Sequence, residues 1–302
     1  MTTSTPSQIR IEKLVIAKIR GFCAGVVRAI DVVEQLLAIV GKPVYVRHEI
    51  IHNRYVVDEL RQKGAIFVEE LSEVPNGSWL IFSAHGVGPD VVAEARSRQL
   101  KIIDATCPLV TKVHLEAIAL AKQDYTIALI GHRDHVETIG TLGEAPEHMI
   151  VVGTVAEAET IQVPNPDKIA YLTQTTLSLD DTREIVAVLK RRFPKLGAPK
   201  KDDICYATQN RQNAVKELCR FVDCVLVVGD THSSNSNRLV DVARRAGKPA
   251  WLLQNAEQVE NLLDAARKEL ERDVIAVGLT AGASAPADLI DAVLAKLESL
   301  GG

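Results

Sequence analysis

The stretch KIIDATCPLVTKVH, residues 101–114, runs an apolar segment (Ile102, Ile103) into Cys107, Pro108 and then a helical pattern. A thiol at a strand-to-helix junction sits in the field of the helix N-terminus. That field favours the thiolate, which is the form that binds metal. Two other stretches place a cysteine in the same kind of junction: KIRGFCAGVVRAI around Cys23 and KKDDICYATQNRQ around Cys205. The spacings, 84 residues from Cys23 to Cys107 and 98 from Cys107 to Cys205, are near equal and point to an internal repeat.

Working outward from each cysteine, the same order of patterns recurs. A helical run follows it: AGVVRAIDVVEQLLAIV, PLVTKVHLEAIALAK and YATQNRQNAVKELCRF. A short apolar strand then ends in polar residues: PVYVRHEIIHN, TIALIGHRDHVE and CVLVVGDTHSSNSN. Next come a second strand with an acidic tail, a third strand ending in small polar residues (WLIFSAHGVGP, IAYLTQTTLS, VIAVGLTAGASAP) and another helix. A last strand leads into the following cysteine. The third repeat has no cysteine to feed, and its closing strand is expected from the N-terminal segment KLVIAKIR. The strands are apolar on both faces and alternate with helices, so the sheets should be mostly parallel and covered by helices. The expected fold is α/β: three pseudo-threefold-related α/β domains in a trefoil-like ring. The expected divisions are a tail at 1–13, then 14–107, 108–204 and 205–302. Ligands of parallel sheets bind beyond the C-terminal strand ends, where all three cysteines and the polar turns lie. In a threefold ring those ends can share one site.

Bulk properties narrow the function. The chain has 302 residues, 47% apolar and 25% charged, with a formal net charge of −4. It has no basic run suited to nucleic acid, no apolar stretch long enough to span a membrane and no secretory or transit pattern in MTTSTPSQIRIEK. A cytoplasmic enzyme is expected. Five cysteines, an odd number, argue for metal or redox chemistry over a disulfide framework. Cys219 and Cys224, in KELCRFVDCVLVV, read as core residues. Cys23, Cys107 and Cys205 make an incomplete tetrahedral set, open to zinc with a water or to an iron–sulfur cluster with one free iron; the spacing favours the cluster. There is neither a P-loop nor a dinucleotide fingerprint, so electrons must come from elsewhere.

The polar turns supply the rest. His48 and His52 lie in RHEIIHN, His85 in FSAHGV, and His132 and His135 in GHRDHVE. Histidines can meet an anion with ring N–H donors. Ser233, Ser234 and Asn235, with Ser284, form hydroxyl- and amide-rich turns of the kind that cap helices or hold phosphate. Glu137 is the carboxylate within these turns, and burial would raise its pKa toward that of a proton donor. Thr175 and Thr176 could orient a hydroxyl, since Ser178 and Asp181 already suit the capping of the next helix.

Together GFCAGVVRAI, YVRHEIIHNRYVV, FSAHGV, DATCPLVTKVH, TQTTLS, DDICYATQNRQ, SSNSNRL and TAGASAP resemble the 4-hydroxy-3-methylbut-2-enyl diphosphate reductase family. The resemblance implies a trefoil-like ring of three α/β domains around a central 4Fe–4S cluster, held by Cys23, Cys107 and Cys205 with one iron open. It implies diphosphate binding by His52, His85, His135, Ser233, Ser234, Asn235 and Ser284. Thr175 would contact the substrate hydroxyl, and Glu137 would deliver protons. The implied reaction is reductive dehydroxylation to isopentenyl and dimethylallyl diphosphate, with ferredoxin or flavodoxin as electron donor. One motif departs from the family pattern GH-x-x-HPEVEGT, reading GHRDHVETIGT: His135 and Glu137 stay in register, while Val136 takes the place of a proline and restores a backbone N–H. The alternative is another triplicated iron–sulfur enzyme resembling quinolinate synthase, whose motifs do not match.

Overall fold

The computed structural model describes residues 11–274 and 276–301, so most of the expected 1–13 tail lies outside the described residues. In chain order the elements are β1 (Lys13–Ile16), α1 (Ala24–Val40), β2 (Val44–Arg47), α2 (Arg54–Lys63), β3 (Ala65–Val68), β4 (Trp79–Phe82), α3 (Pro89–Ser97) and β5 (Lys101–Asp104). Then come α4 (Pro108–Ala121), β6 (Thr126–Ile130), α5 (Val136–Gly143), β7 (Met149–Val152), α6 (Val155–Thr160), β8 (Ile169–Thr173) and α7 (Leu179–Arg192). The last part holds α8 (Tyr206–Leu218), β9 (Cys224–Val228), α9 (Ser234–Arg245), β10 (Ala250–Leu253), α10 (Val259–Leu270), β11 (Ala276–Ala281) and α11 (Ala287–Ser299).

The described chain forms two compact units. One joins the N-terminal segment up to Cys23 with Ala207 onward; the other is Ala24–Tyr206. The first unit holds a sheet ordered β10–β9–β11–β1. The N-terminal strand does close it: Lys13–Ile16 pairs in parallel with Ala276–Leu279. Every residue of the inner strand β9 is buried, as its unbroken apolar run CVLVV requires of a strand covered on both faces. Two clusters fill the layers on either side. Leu226, Val228, Leu263 and Val293 belong to one, and Val215, Val225, Val227 and Leu239 to the other. This alternation along β9 is the two-residue period of a strand.

The second unit holds two sheets, β3–β2–β4–β5 and β7–β6–β8, again entirely parallel. All three sheets therefore share one order, with the first strand of the repeat inside, its second at one edge and its third on the other side. Two details differ from the expectation. The segments between first and second strands are helices (α2, α5, α9), which the repeat pattern alone does not mark as helical. A parallel pair needs a crossover, but VETIGTLG, with two glycines in eight residues, gives little helical signal of its own. The strand expected before Cys205 is also reduced to a single bridge between Gly197 and Ala170. The segment FPKLGAPKKDD carries two prolines and a run of charges; proline cannot donate to a ladder and is confined to edges.

Candidate active site

Each cysteine of the repeat stands immediately before a helix: Cys23 before α1, Cys107 as the N-cap of α4 and Cys205 before α8. Each is anchored by the same main-chain bond. The Cys107 N–H donates to Ala84 O (3.0 Å), Cys205 N–H to Thr175 O (3.0 Å) and Cys23 N–H to Ala283 O (3.2 Å). Each acceptor lies two residues past the third strand of its repeat (β4, β8 and β11). None of the five cysteines is in a disulfide, and these three are partly exposed, whereas Cys219 and Cys224 are buried. Burial pushes the Cys219 thiol up and the Cys224 thiol up to about 12, so both stay protonated and serve as core. A partly exposed thiol at a helix start is, by its chemistry, a donor suited to a thiophilic iron–sulfur group.

In the Ala24–Tyr206 unit, three strand-end turns gather His52, His85 and His135. The His52 and His85 rings stack at 4.1 Å between centroids, and His135 meets them edge-on at 5.3 and 6.0 Å. Stacked faces do not aim lone pairs at one point. Among the described residues no three His, Cys, Asp or Glu side chains are arranged to chelate a single metal ion. His135 is set instead as an N–H donor. His135, the N-cap of α5, accepts the Glu137 N–H at Nδ1 (3.2 Å), which leaves the proton on Nε2. That Nε2 is buried and has no hydrogen-bond partner among the described residues. Burial, then the neighbouring His52 and His132, lower the His135 pKa to about 3; burial, then His52, His135 and His48, lower that of His85. Both rings are neutral near pH 7. His48 turns away to pair with Glu69, and the His132 backbone N–H donates to Gln174 Oε1 (3.1 Å).

Beside this cluster Glu137 is buried, 3% exposed. Its Oε1 accepts the Thr175 N–H (2.6 Å) and its Oε2 the Thr175 hydroxyl (3.0 Å). Burial pushes its carboxyl up to about 7, against the lowering effect of those two bonds and with a smaller push from Asp203. Val136 occupies the first residue of α5. A proline is tolerated there because that N–H lacks a helical partner anyway, so the exchange leaves the helix start and the Glu137–Thr175 contact in place. Thr175 thus touches the acid through its N–H and hydroxyl, and the Cys205 amide through its carbonyl.

In the other unit the turns after β9 and β11 form a hydroxyl cluster. Ser233 caps α9 by accepting the Ser236 N–H (3.3 Å). It lies 3.0 Å from the Ser236 hydroxyl and 3.4 Å from that of Ser284. Asn235 Oδ1 accepts the Ala283 N–H (2.9 Å), which joins the α9 turn to the β11 turn. Ser234 opens α9 and is half-buried. Ser236, fully buried, was not singled out from the sequence. Its hydroxyl would collide with a Cβ at Gly229 or Gly282, so those glycines exist to admit it. Gln174 was also missed. It is buried and accepts from His132 N–H and the Thr138 hydroxyl, fixing the β6 and β8 turns together. The only signal for either was its place inside SSNSN or TQTT.

The family model of the LytB protein matches residues 14–298. The chain belongs to the LytB family. A 4-hydroxy-3-methylbut-2-enyl diphosphate reductase of Aromatoleum aromaticum is 54% identical over 290 residues, covering 96% of this LytB chain and 91% of the relative. One from Escherichia coli is 51% identical over 293 residues, covering 96% and 90%. Among solved structures, the E-1-hydroxy-2-methyl-but-2-enyl-4-diphosphate reductase from Plasmodium falciparum aligns with a TM-score of 0.89 at 41% identity, covering 94% of this chain and 87% of that one. A structure of (E)-4-hydroxy-3-methyl-but-2-enyl diphosphate reductase, described as the terminal enzyme of the non-mevalonate pathway, aligns at 0.65 with 30% identity, covering 96% and 100%. Among the described residues no helix is long and apolar enough to cross a membrane.

Proposed function

We infer that this LytB chain is a 4-hydroxy-3-methylbut-2-enyl diphosphate reductase, an iron–sulfur oxidoreductase of isoprenoid biosynthesis. The reaction removes the allylic hydroxyl as water, taking up electrons and protons to give isopentenyl and dimethylallyl diphosphate. We read the chain as divided at 14–107, 108–204 and 205–302, and assign Cys23, Cys107 and Cys205, each standing just before a helix, as ligands of a 4Fe–4S cluster with one iron free. When bound, such a cluster supplies single electrons and a Lewis-acidic iron.

The chain's own residues carry the rest. The observation that supports the assignment most is the buried Glu137–Thr175 pair, held one carbonyl from the Cys205 amide. With its pKa near 7, Glu137 is partly protonated at neutral pH and can release a proton. The Thr175 hydroxyl, bonded to Oε2, can hand that proton to a leaving hydroxyl and refill from the acid. His52, His85 and His135 are read as donors to the diphosphate, with the buried Nε2–H of His135 the clearest of them. Ser233, Ser234, Asn235 and Ser284 are read as further donors. Hydrogen bonds to a charged acceptor contribute about 1.5–3 kcal/mol each, enough for a few of them to hold a diphosphate. The chain has no nicotinamide or flavin motif, which supports an external donor, ferredoxin or flavodoxin, and we place the enzyme in the cytoplasm.

The test is anaerobic purification with iron and sulfide analysis, followed by turnover of the diphosphate with a reduced viologen. Iron, sulfide and both isomeric products are expected. Zinc in place of iron, or a full cluster without turnover, would refute the reading.

A further inference from the structure

The repeat suggests that a strand should lead into each cysteine. β5 does so for Cys107 and β1 on the way to Cys23, but among the described residues no strand does for Cys205. Along the open edge of β8 the donors are nonetheless occupied. The Tyr171 N–H donates to Gly197 O (3.1 Å). The next donor on that edge, the Thr173 N–H, donates to the carboxylate of Asp203 (Oδ2, 2.8 Å) instead of to a main-chain carbonyl. Two residues on, the Cys205 N–H donates to Thr175 O. The other oxygen of Asp203 accepts from Lys112 Nζ, which also donates to Lys201 O (2.6 Å) and lies 3.1 Å from Glu116. The Asp203 side chain has no exposed surface. Lys112 sits in the second turn of α4, the helix that begins at Cys107.

We propose that the Lys112–Asp203 pair is a positioning device for Cys205. The carboxylate replaces the main chain of the missing strand, and the lysine fastens that segment to the helix that carries Cys107. This rests on the reading of Cys205 as a cluster ligand. A buried carboxylate persists only when paired and hydrogen-bonded. Here its two oxygens tie the backbone two residues before the thiol to the edge of β8 and to α4. In the other two repeats β5 and β1 lead the chain toward the thiol, so an equivalent acid is unnecessary there.

Two readouts test it without using turnover. In the metal-free chain, Asp203→Ala is expected to speed amide hydrogen exchange across residues 200–206 by about tenfold or more, the scale of losing a charge-assisted bond. In the reconstituted chain, the same variant is expected to release iron to a chelator, under anaerobic conditions, faster by a similar factor. Asp203→Asn keeps an acceptor for Thr173 and loses the ion pair, so it should fall between; it carries both readouts if the alanine variant does not fold. Unchanged exchange or unchanged iron release overturns the proposal. Cys205→Ser separates the two claims: wild-type iron retention in that variant would remove the ligand reading, while the exchange measurement still decides whether the pair holds the segment.

Discussion

Glu137 shows how one residue joins stability to chemistry. Its carboxyl is raised from 4.5 to about 7, chiefly by burial. Between those values the folded chain keeps a proton that the unfolded chain has lost, so stability falls as pH rises through that window and then levels. The full difference is about 3 kcal/mol. Glu137→Gln keeps an amide oxygen for the Thr175 N–H and removes the titration. It should therefore be more stable than wild type at about pH 8 and lose that advantage at about pH 4. Urea midpoints of the metal-free proteins at the two pH values measure this; an equal difference at both would mean that the carboxyl is not buried as an acid. Turnover should respond differently. Loss of a positioned general acid costs about 10²-fold or more in kcat, with substrate still bound and KM little changed. Unchanged turnover would remove the proton-delivery role.

At the scale of elements, the histidine cluster depends on how closely α5 approaches the turn after β4. A Cβ on Gly140 would lie 3.2 Å from Gly86 O and 3.3 Å from its carbonyl carbon, and one on Gly143 would lie 3.1 Å from Gly88 Cα. Helix and turn therefore meet backbone to backbone, which allows His135 at the start of α5 to stand 6.0 Å from His85. Gly140→Ala should push α5 off by a few tenths of an ångström. Overpacking of this kind costs about 1–3 kcal/mol, and diphosphate affinity should fall further than the loss of fold stability accounts for. Titration of the folded variant with inorganic diphosphate, set beside its urea midpoint, checks this; wild-type affinity would show that the close approach does not set the cluster. The glycines that produce this contact also hide α5 from a sequence reading, because they lower its helical propensity. The strands were legible for the opposite reason: ALI, VLVV and LIF are apolar on both faces, and only a covered parallel sheet uses such runs. Gln174 and Ser236 had no signal beyond their places inside TQTT and SSNSN, and Asp203 none beyond DDIC, because their roles come from the tertiary fold.

At the scale of the molecule, the repeat was legible from three cysteines at near-equal spacing, and the fold repeats it in one strand order and one main-chain bond. The missing strand before Cys205 was not legible, because the repeat argued for it while the local prolines and charges argued against it, and the local chemistry prevailed. The same equivalence sorts all five cysteines. Cys23, Cys107 and Cys205 share an N–H bond of 3.0–3.2 Å to the turn after the third strand and remain partly exposed, whereas Cys219 and Cys224 fill the core with raised thiol pKa values. Serine at each of the first three positions should lower iron and acid-labile sulfide per chain after anaerobic reconstitution, because each removes one thiol from the same kind of main-chain anchor. Cys219→Ser and Cys224→Ser should bind a full complement, while losing about 1–3 kcal/mol for a hydroxyl placed in apolar surroundings. Metal and sulfide analysis of the five variants, with urea midpoints, distinguishes the two groups. A complete cluster in any of the first three would contradict a three-thiol site, and lost iron in either of the last two, with the fold intact, would mean that burial had been misread as structural.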